Sequence, residues 1–159
     1  MDLIQLLEQQ IISHPHLKEE DKAVVTQLCE FIRIDTEADI NEYFKLQVEA
    51  EAGVVYLKGK YSRLLNKFAS IVEKHRSGKS VELGSRDPEG YKWNKASKHE
   101  WLTGTDARYA ALVSTHKDVE VLSSIIKDLA QIVFNRDRKL EQLSNNYRRE
   151  MQVDSNTCR

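Results

Sequence analysis

Trp93 and Trp101 stand at and just past the end of the most basic stretch of this 159-residue chain. From Lys58 to Lys98 there are eleven Lys/Arg and four Asp/Glu, a net charge of +7. The cations are Lys58, Lys60, Arg63, Lys67, Lys74, Arg76, Lys79, Arg86, Lys92, Lys95 and Lys98, and Tyr91 and Trp93 bracket Lys92. Such residues suit a single-stranded nucleic acid. Cations neutralise phosphates and release counterions, and flat rings stack on unpaired bases. Each stack contributes roughly 1–3 kcal/mol with little dependence on sequence. The eleven cations with Tyr91 and Trp93 are therefore the candidate DNA-binding set, with Trp101 as a further ring. The competing reading is a solvated helix face followed by a polar loop, with the tryptophans folded back on the helices, because large aromatics are usually buried.

Other chemistry finds less support. Ser77-Gly78-Lys79-Ser80 ends like a phosphate-binding loop, but the glycine required five positions earlier is Glu73, and the segment follows a helical pattern where a strand is needed. Lys79 reads better as one more member of the basic patch, beside a glycine helix stop at Gly78. His14 and His16 flank Pro15 with no nearby cysteine and no second pair, so turn formation is their expected role and no metal is expected. His75, His99 and His116 are scattered, no Ser/His/Asp or Cys/His arrangement emerges, and the carboxylate pairs fall on solvated helix faces or near helix starts. The chain therefore reads as a non-enzyme without a cofactor. A nuclease or other phosphoryl-transfer enzyme would need a metal-ligand constellation that is not visible.

The near-neutral total of −1 conceals a polarised chain: residues 1–57 carry four basic and twelve acidic side chains, and residues 99–159 carry nine of each. Apolar residues make up 40% and charged residues 31%, with two Pro and six Gly. That profile suits long, partly exposed helices that complete their burial by self-association. The longest apolar runs fall short of the roughly 18–20 residues that span a bilayer, so no membrane is expected. Residues 1–12 lack a basic start and a small-residue cleavage site and carry Asp2 and Glu8, which argues against a signal peptide. Cys29 and Cys158 form no CxxC pair, which fits a reduced, cytosolic setting.

The spacing predicts a short amphipathic helix over 2–12, with Leu3, Leu7 and Ile11 on one face, ended by Ser13-His14-Pro15-His16. A second helix is expected from about Leu17 to Ile32, with Glu19, Glu20 and Asp21 complementing the dipole of its first turn. Asp35 or Thr36 can cap a third, from 37 to about 77. In it Ile40, Tyr43, Gln47, Ala50, Val54, Leu57, Tyr61, Leu64, Phe68 and Ile71 step by three and four, a heptad pattern. Gly53 and Gly59 mark either close helix contact or a bend. Residues 78–104, punctuated by glycines and Pro88, read as an irregular basic aromatic loop. A small β-hairpin is the alternative, with Val81–Leu83 and Tyr91–Trp93 joined by a turn at Ser85–Pro88. Thr105 then caps a last long helix to about Met151, before a frayed tail over 153–159. Its seam holds Leu112, Val119, Leu122, Ile126, Leu129, Val133, Leu140, Leu143 and Tyr147. Leu122, Ile126, Leu129, Val133, Leu140 and Leu143 are the candidate oligomerisation residues. Arg136 interrupts this seam, and a buried charge there is costly unless paired.

Two blocks of residues resemble the UvsY-type phage recombination mediator proteins. The first is Ile34-Asp35, then Lys45-Leu46-Gln47-Val48-Glu49-Ala50, then Tyr61 to Ile71. The second is His116-Lys117-Asp118-Val119, then Leu122 to Leu129, then Asn135-Arg136 before Lys139-Leu140. The resemblance covers about half the chain in short pieces. It implies a small phage protein, in the host cytoplasm, that forms ring-like homo-oligomers through its helices and binds single-stranded DNA. Such proteins help load a RecA-like recombinase onto strands coated by single-strand-binding protein, and they are not enzymes. The family's basic middle corresponds in character to Lys58–Lys79. Its Ser/Asn-Arg-Gly turn corresponds to Asn135-Arg136-Asp137, which lacks the glycine, so a bend there does not carry over. The acidic leader is longer than the resemblance implies, and it suits a protein contact or a guard over the basic patch.

The expectation is thus an all-α, elongated protomer: an acidic N-terminal arm over 1–33, and a helical oligomerisation and DNA-binding domain over 34–152. Its expected partners are single-stranded DNA, a RecA-like recombinase, a single-strand-binding protein and further copies of itself. The competing function is a coiled-coil adaptor that binds only protein, with its acidic third as the working end.

Overall fold

The computed structural model describes residues 3–34, 40–85, 87–90 and 92–157, without the side chains of 40–45, 140, 143, 144, 147, 148 and 150 onward. The fold is all-α, with helices α1 (Leu3–Ile12), α2 (Glu19–Arg33), α3 (Ile40–Glu82), α4 (Lys95–Thr105) and α5 (Ala107–Thr157). The candidate caps Asp35 and Thr36 lie outside the described residues. No strand occurs among the described residues. The chain divides into two compact units: unit 1 comprises Met1–Lys58 and Ile125–Arg159, and unit 2 comprises Gly59–Ser124.

Unit 1 is built on an apolar core that includes Ile11, Leu17, Val25, Leu28, Cys29 and Phe31 from its first two helices and the loop between them. Ala50, Val54 and Leu57 of α3, and Ile126, Leu129 and Val133 of α5, are buried as well. The Cys29 thiol is pushed up to about 11, burial being the main cause, so it stays protonated and inert near neutral pH. The His-Pro-His segment is the expected turn between α1 and α2. The His16 N–H donates to His14 Nδ1 at 3.3 Å, and the Leu17 N–H donates to the His14 carbonyl at 3.0 Å. Gly53 marks close helix contact. A methyl group there would meet Val24 Cγ1 at 3.1 Å and Leu28 Cδ2 at 3.5 Å. A Cβ at Gly59 would meet open space, and nothing in the structure explains that glycine.

Two charges inside unit 1 have identifiable partners. Asp21, in the first turn of α2, is fully buried and accepts a 3.0 Å hydrogen bond from the Tyr56 hydroxyl. Arg136 is half-buried and donates to the carbonyl of Ile32, one of the last carbonyls of α2. Such carbonyls have no partner within the helix and carry the negative end of its dipole, so a guanidinium there satisfies both. That accounts for the cation interrupting the apolar seam. The α5 helix continues through Asn135-Arg136-Asp137 and past Met151 to Thr157.

Unit 2 corrects the expected loop over 78–104 and excludes its hairpin alternative. Gly78 does not stop α3, which takes in Val81 and ends at Glu82. A glycine within a helix costs about 1 kcal/mol relative to Ala, too little to break it where a later turn packs. Val72 and Leu83 pack on the buried cluster of Leu102, Tyr109 and Val113. The chain reverses after Leu83, at Gly84, whose φ of +71° is one that glycine adopts readily. A turn follows at Asp87–Gly90, and the expected turn at Ser85–Pro88 contains Arg86, which lies outside the described residues. The Gly90 N–H donates to the Asp87 carbonyl at 3.0 Å, and the Asp87 side chain accepts from the Glu89 N–H. Residues 95–105 form α4, opened by a reciprocal cap. Asn94 Oδ1 accepts from the Ser97 N–H at 2.8 Å, and Ser97 Oγ accepts from the Asn94 N–H at 3.1 Å. The expected cap Thr105 is the last residue of α4, with its hydroxyl turned back to the Trp101 carbonyl. Asp106 caps α5, through its carboxylate to the Tyr109 N–H at 2.9 Å.

Candidate nucleic-acid interface

The basic residues of α3 separate into groups by helical position. Lys60, Arg63, Lys67 and Lys74 follow spacings of three, four and seven, which at 3.6 residues per turn puts them within about 60° of arc. Tyr61, Leu64, Phe68 and Val72, which are buried or half-buried, centre about a third of a turn away. Arg63, Lys67 and Lys74 are exposed and Lys60 is half-buried. The stripe rises about 21 Å along the helix. Glu73, the sole acidic residue between Lys60 and Val81, lies off this arc.

Arg76 and Lys79 lie toward the packed side and meet carboxylates. Arg76 reaches Glu73 at 2.5 Å and Lys79 reaches Glu82 at 2.7 Å. The hydrogen bond from Arg76 holds Glu73 below the usual carboxylate range, with Lys95 contributing less. Their positive charge is thereby partly cancelled, and they are weaker candidates for phosphate than Lys67 and Lys74. Lys58 belongs to unit 1 and sits away from the stripe's arc. Arg86 and Tyr91 lie outside the described residues.

The remaining candidates sit at and after the α3–α4 connection. Lys92 and Lys95 are exposed and Lys98 is half-buried. Trp93 and Trp101 pack edge-to-face, with ring centroids 5.9 Å apart and planes inclined by 62°. Trp93 is half-buried, and its Nε1 is buried without a hydrogen-bond partner in the described structure. Trp101 is 40% exposed. The tryptophans therefore cover part of each other's surface, and Trp101 offers more of its ring to a base.

A polar cluster that the sequence did not reveal sits in the same unit. His75 Nε2 lies 2.9 Å from Asp106 Oδ2, and His99 Nδ1 lies 2.7 Å from the Tyr109 hydroxyl. The His75 ring stacks on Tyr109 at 5.9 Å, and the His99 ring meets it edge-on at 5.6 Å. The cluster ties α3 to α4 and α5. Burial pushes the Tyr109 phenol above its ordinary value, which keeps it neutral and disfavours a phenolate base. Asp106 alone carried a local signal, as a capping type just before a helix. His75 is far from it in sequence, and nothing local announces the pair.

The candidate oligomerisation residues Leu122, Ile126, Leu129 and Val133 are buried within the single chain. They serve as core in the single chain and present no exposed seam. The side chains of Leu140 and Leu143 lie outside the described residues. Among the described residues no group of three or more His, Cys, Asp or Glu could hold a metal ion, and no helix is long and apolar enough to cross a membrane. Comparison with protein-family models, with curated proteins and with solved structures finds no match.

Proposed function

We propose that this chain is a non-catalytic single-stranded-DNA-binding protein that acts as a recombination mediator, helping a RecA-like recombinase load onto strands coated by single-strand-binding protein. The observation that carries the DNA-binding reading is the stripe of Lys60, Arg63, Lys67 and Lys74 on one side of α3, turned from the packed face. Cations at fixed helical spacing suit the regular charge of a phosphate backbone. Trp101 supplies a ring for base stacking, with Trp93 as its support. The mediator role, the homo-oligomer and the setting in a phage-infected cell rest on the resemblance of residues 34–71 and 116–140.

The test is binding of labelled oligothymidine as salt is varied. The expected result is tight binding that weakens steeply with salt, with tryptophan quenching. Reversing two stripe charges, Lys67→Glu with Lys74→Glu, should weaken binding about tenfold or more and reduce the salt slope by about 1.4. The same reversal at Arg76 and Lys79 should cost less, since those cations already face carboxylates. Absence of binding and of quenching refutes the reading.

One observation favours a second reading, an adaptor that binds only protein. Unit 1 exposes Leu3, Leu6, Val48 and Val55 and carries twelve Lys/Arg against seventeen Asp/Glu. An adaptor would leave oligothymidine unbound in the chain with or without residues 1–33.

A further inference from the structure

Unit 1 holds an open cleft of about 370 Å³ between α2 and α3. Its apolar lining includes Leu28 and Phe31 of α2, Ile34 just past it, and Leu46 of α3. Glu30 and Glu49, both exposed, stand on its two sides, and among the described residues no Lys or Arg lines it. Gly53 lines the same cleft, and its missing side chain leaves the space free of a Cβ that would crowd Val24.

We propose that this cleft is a docking site for a cationic amphipathic segment of a partner protein, one that sets an apolar side chain against the half-buried Val24, Ile34 and Leu46 and places Lys or Arg against Glu30 and Glu49. The volume suits a few aliphatic side chains and lies within the range of ordinary ligand sites. The charge selects the partner. Two carboxylates flanking an apolar floor repel an acidic or phosphate-bearing occupant and attract a basic one, and the net charge of −5 on unit 1 reinforces that preference at longer range. An apolar groove receiving one face of an amphipathic helix is a recurring mode of peptide recognition. The site lies in unit 1, so its test stands apart from the DNA-binding reading, which rests on unit 2.

The full chain is titrated into a labelled peptide of alternating Leu and Lys blocks with helical amphipathic spacing. Peptides with Leu replaced by Gln, or Lys by Glu, serve as controls. The Leu/Lys peptide should bind, and both controls should bind at least about tenfold more weakly. Glu30→Lys with Glu49→Lys should weaken the Leu/Lys peptide about tenfold, whereas Glu19→Lys with Glu20→Lys, the same charge change outside the cleft lining, should alter it by less than about twofold. Circular dichroism should show both variants to be as helical as the native chain. The proposal is overturned if the Leu/Lys peptide does not bind, if both double variants weaken it equally, or if the Gln/Lys peptide binds as well. It is also overturned if the Glu30/Glu49 variant changes the sedimentation of the chain alone, since the cleft would then seat a second copy.

Discussion

Asp21 and Tyr56 illustrate how a single charge is accommodated in a helical core. A carboxylate taken fully out of water needs hydrogen bonds to its charged form. The position in the first turn of α2 supplies a favourable dipole, and the Tyr56 hydroxyl donates at 3.0 Å. Tyr56→Phe removes that donor without changing shape, and should destabilise the fold by about 1–2 kcal/mol in urea unfolding. No loss would mean that water replaces the hydroxyl at no cost. The acidic first turn of α2 was legible in the sequence, because carboxylates favour helix starts. The burial of Asp21 was not, since its partner lies thirty-five positions away on another helix. Arg136 shows the same limit. Its place in an apolar seam marked it as a charge that needed a partner, but the end of α2 that accepts it is brought close only by the fold.

At the scale of elements, the junction of α4 and α5 rests on Asp106. It accepts the Tyr109 N–H at the start of α5 and faces His75 of α3. The hydrogen bond from His75 is the main cause that holds the Asp106 carboxyl below its ordinary value. A carboxyl whose folded value is depressed adds stability above its unfolded value of about 3.9, and that stability is lost as pH falls through the folded value. Asp106→Ala should therefore lower the melting temperature by a few degrees at neutral pH, and Asp106→Asn, which keeps a capping oxygen, by less. The gap between the native chain and Asp106→Ala should close below pH 4. A gap unchanged down to the lowest pH would rule out the ionised Asp106 carboxylate as its source. Most helices of the chain were legible from spacing, and Pro15 announced the first turn. The region after Gly78 was not. Its glycines resemble breaks, but a glycine is a weak breaker, and the actual stops depend on the left-handed backbone at Gly84 and the cap at Asn94. The stripe on α3 was legible in principle, since the spacing of Lys60, Arg63, Lys67 and Lys74 is in the sequence. The pairing of Arg76 and Lys79 with carboxylates depended on side-chain placement.

Across the whole molecule, charge follows the division into units. Unit 2 has twelve Lys/Arg against eight Asp/Glu, a net of +4, while unit 1 has a net of −5. The two units thus carry net charges of opposite sign, as the two proposed sites require. Hydrogen exchange should resolve them within one chain: oligothymidine should slow amide exchange within residues 59–124, and the Leu/Lys peptide should slow it along α2 and the start of α3. The opposite assignment would contradict both proposed sites.

The two units also differ in how the chain enters them. Unit 2 is one continuous run, whereas unit 1 is assembled from residues on either side of it. During synthesis all of unit 2 leaves the ribosome before Ile125, and unit 1 lacks its α5 portion until later. Closing that long excursion costs loop entropy, although the cost grows only slowly with length, and contacts of such separation slow folding. The basic unit is thus complete in sequence before the acidic one. In the nascent chain, the cations of α3 are already synthesised while the core of unit 1 still awaits Ile126, Leu129 and Val133.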